Sequence, residues 1–381
     1  MPGLLPHVDP DGLLEFSVVY TDRTLNHLSK RFQQVMKDIS ALIREVYGAD
    51  EAIVIPGSGT FGMEAVARQF ASGQKVLIVR NGFFSYRWSQ ILQTCGIAPA
   101  DDVTVLKARP ESGAAQAAWA PPPIAEVEAA IARVRPAVVF VPHVETANGI
   151  LLPDDYLKRI GAAVHAAGGL FVLDCIASGA VWVDMRAIGV DVLISAPQKG
   201  WSSAPGCALI ALSGAAVKRL TETQSSSFAM DLNKWRNVMQ TYENGSHAYY
   251  ATLPTPALLE LRDTMQETRE RGFDVARDEQ FRLGHRIREL LVERGFPSVA
   301  AKGFEAPGVV VCHTSDEGVH NGSKFLQQGL QIAAGVPLMC DEPDSFKTFR
   351  IGLFGLDKLS DIEGTVEHLR DALNKMGFAK V

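Results

Sequence analysis

One lysine, Lys199, stands in a loop between two short apolar runs of strand length, residues 192–194 and 207–211. The loop is rich in glycine, proline and serine. A lysine between buried strands is unfavourable unless its charge is neutralised, and a lowered pKa or a covalent imine with a carbonyl compound neutralises it. Taken alone, the loop is better explained as a surface turn with a solvated lysine. The groups that accompany Lys199 elsewhere in the chain favour a reactive amine instead.

Polar groups also follow two other apolar runs. Residues 170–173 end in Asp174, and residues 138–141 are followed by the polar segment 143–149. Ligands of open parallel sheets bind at the carboxyl ends of strands, so Asp174 is a candidate site residue, with helix capping as the alternative. One strand-helix-strand unit separates Asp174 from Lys199, and neighbouring strands would bring both to one pocket.

A glycine-containing turn, residues 57–60, closes the apolar run 52–55 and opens a helical segment. Its free backbone N–H groups and the helix dipole would point at one spot, where a phosphate would bind. The turn lacks the third glycine of a dinucleotide fingerprint and the lysine of a nucleotide-triphosphate loop. Simple reversal of the chain is the alternative reading.

The elements that must position these groups follow from the apolar patterns. Apolar residues recur every three or four positions in residues 26–47, 63–70, 84–94, 123–134 and 155–167, which predicts helices. Near-continuous apolar runs predict strands at 52–55, 75–79, 103–106, 138–141, 170–173, 192–194 and 207–211. Their alternation predicts an α/β fold with a mostly parallel sheet, of a seven-stranded type, between two layers of helices.

The pattern changes beyond Pro254. Helices are predicted at 256–272, 274–295, 322–331 and 359–376, and strands at 308–313 and 349–353. This change predicts a large domain at 16–258 and a smaller α+β domain at 259–381, joined by the N-terminal residues 1–15.

Composition excludes several classes of protein. The chain has 381 residues and a formal net charge of −6, which gives no electrostatic basis for binding nucleic acid or an anionic membrane. Its five cysteines lack the spacing of a disulfide framework or of a zinc site, so no metal is predicted. Residues 1–6 lack the features of a secretion signal, and no apolar run is long enough for a membrane span, so a cytoplasmic location is expected.

A loop lysine, a strand-end aspartate and a phosphate turn in one sheet have a common explanation in pyridoxal 5'-phosphate. The lysine would form the imine, the aspartate would keep the pyridine nitrogen protonated, and the turn would hold the phosphate. From about Asn26 onward the chain resembles the class V aminotransferases of fold type I. It looks most like the branch of alanine:glyoxylate, serine:glyoxylate and 2-aminoethylphosphonate:pyruvate aminotransferases.

The resemblance implies roles for individual residues at the cofactor. Gln198-Lys199 matches the lysine motif of the family, which makes Lys199 the Schiff-base residue and general base, with Gln198 beside the cofactor. Asp174-Cys175-Ile176 matches the strand-end motif, which places Asp174 at the pyridinium and Ile176 on one face of the ring. The further matches are Ser58, Gly59 and Thr60 at the phosphate, Thr146 near the ring hydroxyl, and Phe84 stacked on the other ring face.

Two more matches concern the partner and the substrate. The segment 249–254 resembles the family segment that crosses a dimer interface, so Tyr249 and Thr252 would reach the phosphate of the neighbouring site in a homodimer. The segment 349–352 matches the strand whose arginine binds the substrate carboxylate, which assigns that role to Arg350. A guanidinium pairs with a carboxylate through two hydrogen bonds, which an ammonium cannot do.

The sequence also departs from the family. Residues 14–22 replace a Pro-Gly-Pro-type stretch that lies near the substrate in relatives. Trp201 is bulky for a position beside the lysine, and His320 lies where the small domain could reach the pocket. For both residues, a structural role is an equally good reading.

The resemblance implies ping-pong transamination from a small amino donor to glyoxylate or pyruvate. A 2-aminoethylphosphonate donor is the alternative. A sulfur-removing lyase of the same fold is a rival, because Cys340 precedes Arg350 in the region where such enzymes carry a nucleophilic cysteine. A non-catalytic cofactor-binding or scaffold protein is the rival from another class.

Overall fold

The computed structural model describes residues 8–378, so residues 1–7 and 379–381 at the ends of the predicted small domain lie outside the described part. The helices are α1 Lys30–Tyr47, α2 Gly59–Phe70, α3 Phe83–Thr94, α4 Ile124–Val134, α5 Asp154–Ala167, α6 Met185–Ile188, α7 Gly214–Glu222, α8 Leu232–Glu243, α9 Thr255–Arg271, α10 Phe273–Val292, α11 Glu317–His320, α12 Ser323–Leu326, α13 Leu356–Ser360 and α14 Ile362–Lys375. The strands are β1 Glu51–Pro56, β2 Val76–Arg80, β3 Val103–Lys107, β4 Arg109–Pro110, β5 Trp119–Ala120, β6 Val138–Pro142, β7 Val144–Glu145, β8 Ile150–Leu151, β9 Leu170–Asp174, β10 Val192–Ser195, β11 Cys207–Leu212, β12 Val309–His313, β13 Ala333–Ala334 and β14 Thr348–Gly352.

The main sheet has seven strands in the order β1-β11-β10-β9-β6-β2-β3. β11 runs antiparallel to both of its neighbours, and the other pairs are parallel. Every residue of β6, β9, β10 and β11 is buried, because helices cover both faces of the sheet. The predicted α/β fold with a mostly parallel sheet of seven strands is confirmed.

The carboxyl ends of the central strands meet at one edge of this sheet. β9 and β10 pair in parallel with Asp174 opposite Ile194, and β9 pairs with β6 with Asp174 opposite Pro142. The loops that leave these ends, together with the turn after β1, carry the polar groups singled out from the sequence.

A second sheet is formed near the C-terminus by β12, β14 and β13, which are all antiparallel. It packs with α10 and α14 around a separate core that includes Phe325, Phe349 and Leu373. The division of the chain at 258/259 stays a prediction. Leu258, Leu261 and Met265 of α9 belong to the larger core, which favours a boundary closer to Gly272.

Two predicted helices are wrong in their extent. In place of a helix at 322–331, the structure has only the single turn α12, because Gly329 takes a left-handed φ of 79° and the chain folds back, with Leu330 N–H donating to Phe325 O. The predicted closing helix is divided at Asp361 into α13 and α14, since the Asp361 side chain caps the second helix.

No helix within residues 8–378 is long and apolar enough to cross a membrane.

Candidate active site

A cavity of about 550 Å³ lies at the carboxyl edge of the main sheet and beneath the second sheet. Ten of the residues predicted from the sequence line it, namely Ser58, Gly59, Thr60, Phe84, Thr146, Asp174, Ile176, Gln198, Lys199 and Arg350. Three of the lining residues of the described chain are basic, namely Arg87, Lys199 and Arg350, whereas Asp174 is the acidic one. A cavity with this balance suits an anionic ligand, although the chain as a whole is acidic.

Lys199 projects into this cavity from the loop after β10. Burial, together with the charge of Arg350, lowers the pKa of its ammonium group. Its Nζ lies 5.0 Å from the centre of the Phe354 ring. The loop is held close to its neighbours at Gly200, where a Cβ atom would stand 2.1 Å from the carbonyl oxygen of Gly179. A lysine with a lowered pKa supplies the neutral amine that attacks a carbonyl group.

Asp174 ends β9 and is buried. Among the described residues, its carboxylate accepts one hydrogen bond, from the N–H of Ile176 at 3.0 Å. Burial raises the pKa of Asp174 to about 7, and the charge of Glu145 acts in the same direction. One hydrogen bond does little to offset the cost of burying a charged carboxylate. A cation placed in the cavity would therefore stabilise it.

The turn before α2 leaves backbone donors free. Within the described residues the Ser58 side chain makes no capping hydrogen bond, and the first turn of α2 contains no acidic residue. Gly59 packs so tightly that a Cβ atom would stand 2.6 Å from Cδ1 of Ile176. The N-terminus of α2 therefore faces the cavity as an open anion site.

The start of α3 is built differently, because the protein fills it with its own carboxylate. Glu145 is fully buried and accepts hydrogen bonds from Phe84 N–H at 3.2 Å, Ser85 N–H at 2.9 Å and the Ser85 hydroxyl at 2.7 Å. Gly82 permits this contact, since a Cβ atom there would lie 2.7 Å from Cγ of Glu145. The carboxylate thus fixes the helix that carries Phe84.

Arg350 reaches the cavity from β14 of the second sheet. Its Nε donates to Ala334 O at 2.8 Å, and its Cζ lies 5.4 Å from the centre of the Phe84 ring. Burial lowers the pKa of its guanidinium. Because β13 fixes the Nε side, the two terminal nitrogens of the fork are left for a ligand.

A buried amide oxygen also points to a missing ligand. Oε1 of Gln198 has no hydrogen-bond partner among the described residues, although Gln198 lines the cavity. An unpaired buried polar atom is costly, so a bound molecule with a donor group would stabilise it.

Tyr249 and Thr252 do not line the cavity of their own chain. The Tyr249 hydroxyl lies 3.3 Å from the Thr252 hydroxyl on the surface, and the Tyr249 side chain is 57% exposed. Next to Thr252, Leu253 O accepts a hydrogen bond from the Tyr20 hydroxyl at 3.1 Å, and Tyr20 follows an exposed segment with apolar side chains, residues 13–18.

Trp201, His320 and Cys340 have structural surroundings. Trp201 is buried against Trp182, with ring centres 4.6 Å apart, and His320 Nδ1 lies 2.7 Å from Thr348 O. Burial raises the pKa of the Cys340 thiol to about 12, and the side chain is absent from the cavity lining. A protonated thiol outside the cavity is a poor nucleophile, which counts against the sulfur-removing rival.

Several cavity residues were not found from the sequence. Arg87 follows Phe84 by three positions, and this helical spacing was the signal that could have placed it on the same face. Gln331 was missed because it ends the segment predicted to be helical, and Ile332 and Ala333 follow it in a stretch with no predicted element. The other missed lining residues are Met63, Val144, Ala177, Val309, Gly352 and Phe354.

The fold is that of solved aminotransferase structures. The crystal structure of an alanine–glyoxylate aminotransferase from Nostoc sp. superimposes with a TM-score of 0.76 at 22% sequence identity, covering 92% of this chain and 89% of that one. At this level of identity the likeness shows the fold alone.

The profile of the family described as aminotransferase class-V matches residues 14–354. The chain therefore belongs to the class-V aminotransferase family, and the protein is a transaminase, as its motifs predicted. A 2-aminoethylphosphonate–pyruvate transaminase of Burkholderia thailandensis is 28% identical over 359 residues, covering 91% of this chain and 90% of the relative. A protein of Synechococcus sp. named soluble hydrogenase, small subunit, is 26% identical over 364 residues, covering 93% and 88%.

Proposed function

We propose that this transaminase uses pyridoxal 5'-phosphate held by Lys199, and transfers an amino group from a small donor to glyoxylate or pyruvate. The observation that carries the proposal is the shared cavity, in which a half-buried lysine with a lowered pKa, a buried aspartate without a salt bridge and an open helix N-terminus meet.

The described residues fit this cofactor. The free N–H groups at Ser58, Gly59 and Thr60 suit its phosphate, and Asp174 suits a protonated pyridine nitrogen. Ile176 and Phe84 supply apolar faces for the ring. Gln198 and Thr146 are the further polar contacts, and the unpaired oxygen of Gln198 supports its assignment.

When bound, the cofactor withdraws electrons from the substrate carbon that carries the amino group. Asp174 maintains that electron demand by stabilising positive charge at the ring nitrogen. The neutral amine of Lys199 would take the proton from the donor carbon and pass it to the cofactor, and in the second half-reaction it would deliver a proton to the carbon of the keto acid. Its lowered pKa leaves it unprotonated more readily than a solvated lysine. Arg350 orients the substrate by binding its carboxylate through the two free nitrogens of its fork.

The donor is an α-amino acid such as alanine or serine in this proposal, and 2-aminoethylphosphonate is the alternative that the name of the Burkholderia relative favours. The positively charged lining supports an anionic substrate in either case. Arg350 serves the carboxylate of the keto acid acceptor with both donors.

The protein is proposed to act as a cytoplasmic homodimer in which Tyr249 and Thr252 complete the phosphate site of the partner subunit. Their exposed position outside their own cavity supports this arrangement. Leu13, Leu14 and Phe16 are 69%, 82% and 88% exposed, and an apolar surface of this kind is typical of an interface.

Borohydride reduction of the cofactor-loaded protein, followed by peptide mass spectrometry, tests the cofactor assignment. A pyridoxyl group is expected on Lys199, and its absence from that residue would contradict the proposal. The substrates are tested by mixing the loaded protein with single amino compounds and following the absorbance of the bound cofactor. Conversion by alanine or serine supports the first donor class, whereas conversion by 2-aminoethylphosphonate alone supports the alternative.

A further inference from the structure

The phosphate end of the cavity lacks sufficient positive charge if it consists of the turn alone. A phosphate monoester carries about −1.5 to −2 charges at neutral pH, whereas a helix N-terminus supplies an equivalent of about +0.5. Lys199 contributes little, because burial lowers the pKa of its ammonium group and its assigned role is covalent. Arg350 lies on the second sheet and is assigned to the substrate.

Arg87 is the remaining cation of the cavity lining within the described residues. It lies on α3, one turn after Phe84, and its side chain turns back toward the helix start, so that its Cζ lies 5.5 Å from the centre of the Phe84 ring. Its Nη1 donates to the Thr60 hydroxyl at 2.9 Å. Arg87 therefore joins α3 to the first turn of α2.

This contact also determines how the Thr60 hydroxyl can act. A hydroxyl has one donor hydrogen and two acceptor lone pairs. Because Arg87 occupies a lone pair, the hydrogen of Thr60 remains available to donate to an anion at the turn. The guanidinium has five N–H groups, and one of them is used at Thr60, so the others can supply charge to the same anion.

We propose that Arg87 supplies the cationic charge of the phosphate subsite and holds the Thr60 hydroxyl as a donor to the phosphate. This inference rests on the proposed function, in that the anion is the phosphate of the cofactor. Arg87 is a positioning residue with respect to Thr60 and a binding residue with respect to the phosphate.

The test compares two ligands that differ in the phosphate alone. Dissociation constants of pyridoxal 5'-phosphate and of pyridoxal are measured by absorbance titration of cofactor-free protein, for the wild type and for Arg87→Met and Arg87→Lys. Arg87→Met should weaken the phosphorylated ligand by at least tenfold and pyridoxal by less than about twofold, since charge-assisted hydrogen bonds are lost for one ligand only. Arg87→Lys should recover part of the affinity, because it restores the charge without the fork.

Competition by inorganic phosphate measures binding at the phosphate subsite without any contribution from the pyridine ring. Inorganic phosphate should compete with pyridoxal 5'-phosphate for the wild-type protein and compete at least tenfold more weakly for Arg87→Met. In the Thr60→Val background, Arg87→Met should reduce the affinity for pyridoxal 5'-phosphate by a smaller factor than it does in the wild type, because the two residues act on one anion. Arg109→Ala, which removes an exposed arginine paired with Glu126, is the matched control and should leave the dissociation constants of both ligands unchanged.

The outcomes separate this inference from the proposed function. If the wild type binds no pyridoxal 5'-phosphate, the proposed function fails and the inference fails with it. If the wild type binds pyridoxal 5'-phosphate and Arg87→Met binds it with the same dissociation constant, this inference alone is overturned. An equal loss for both ligands also overturns it, since Arg87 would then act on the ring end of the site near Asp174, or on folding, which circular dichroism of the variant distinguishes.

Discussion

Two ionisable residues in the cavity are displaced toward their neutral forms by the same cause. Burial lowers the pKa of Lys199 and raises that of Asp174 to about 7. Neither residue forms a salt bridge within the described chain, in contrast to surface pairs such as Arg109 with Glu126. An amine with a lowered pKa and a carboxyl group without a salt-bridge partner suit a ligand that reacts with the amine and places a positive charge next to the carboxylate.

The raised pKa of Asp174 predicts a dependence of stability on pH. In the cofactor-free protein, the folded-state pKa of about 7 exceeds the ordinary value of 3.8. The stabilisation is therefore complete below about pH 4 and is lost as the pH rises through about 7. The Asp174→Asn variant has no carboxyl group at this position and so does not lose this stabilisation. Its free energy of unfolding, relative to that of the wild type, should therefore increase by up to about 4 kcal/mol between pH 4 and pH 7.

Urea unfolding of both cofactor-free proteins at a series of pH values measures this difference. Asp101→Asn, which changes an exposed carboxyl group, is the control. Its free energy of unfolding should change with pH in the same way as that of the wild type. A difference between Asp174→Asn and wild type that is flat from pH 4 to pH 8 would show that burial does not perturb this carboxyl.

At the scale of elements, two helix N-termini meet the cavity and are satisfied in opposite ways. Glu145 of β7 occupies the start of α3, whereas the start of α2 is open. The filled end fixes Phe84 and Arg87, and the open end is left for the ligand. One helix thus serves as a scaffold and the other as a binding surface.

Removing the Glu145 carboxylate should loosen the start of α3. We expect Glu145→Ala to lower the free energy of unfolding by about 2 to 4 kcal/mol, because it leaves buried N–H groups without acceptors. Glu145→Gln should cost less, since its amide oxygen still accepts one of these bonds. Denaturant unfolding measures the loss, and hydrogen exchange at Phe84 and Ser85 locates it. Unchanged exchange in Glu145→Ala would contradict the assigned role.

At the scale of the whole molecule, an exposed apolar segment and an exposed tyrosine both lie outside the cavity of their own chain. Leu14 and Phe16 lie on the segment, and Tyr20 just after it is hydrogen-bonded to Leu253, four residues after Tyr249. Burial of this surface in a symmetric dimer would explain both features.

Leu14→Glu combined with Phe16→Glu should shift the protein from dimer to monomer, because two charges would have to be buried at the interface. Sedimentation velocity measures the shift. Val292→Glu is the control, since Val292 is 50% exposed but lies on α10 of the second core. A dimer that tolerates both charges would place the interface elsewhere.

Subunit mixing tests whether Tyr249 serves the partner site. A Lys199→Ala chain and a Tyr249→Ala chain should each have little activity alone. After unfolding and refolding together, about a quarter of all sites should be intact if Tyr249 acts across a two-fold axis, because half of the dimers are mixed and each has one complete site. If mixing restores no activity while mixed dimers form, Tyr249 acts within its own chain or not at the site.

Much of the fold could be predicted because apolar periodicity reports burial directly. The strands 138–141, 170–173 and 192–194 were identified as buried runs, and β6, β9 and β10 lie there. The helix predicted at 322–331 was wrong because one glycine conformation, at Gly329, outweighed the apolar spacing. Short strands such as β13 were missed because two residues hold no periodic signal.

The sequence alone determined these candidates for chemistry, since Asp174 directly follows an apolar run, and Lys199 and the turn at 57–60 follow one within five residues. Only the tertiary structure decided which of them meet and what supports them. Arg87 reaches Thr60 across 27 positions and Glu145 reaches Ser85 across 60. Such contacts depend on how the helices pack on the sheet, and spacing along a chain does not report contacts between residues that folding alone brings together.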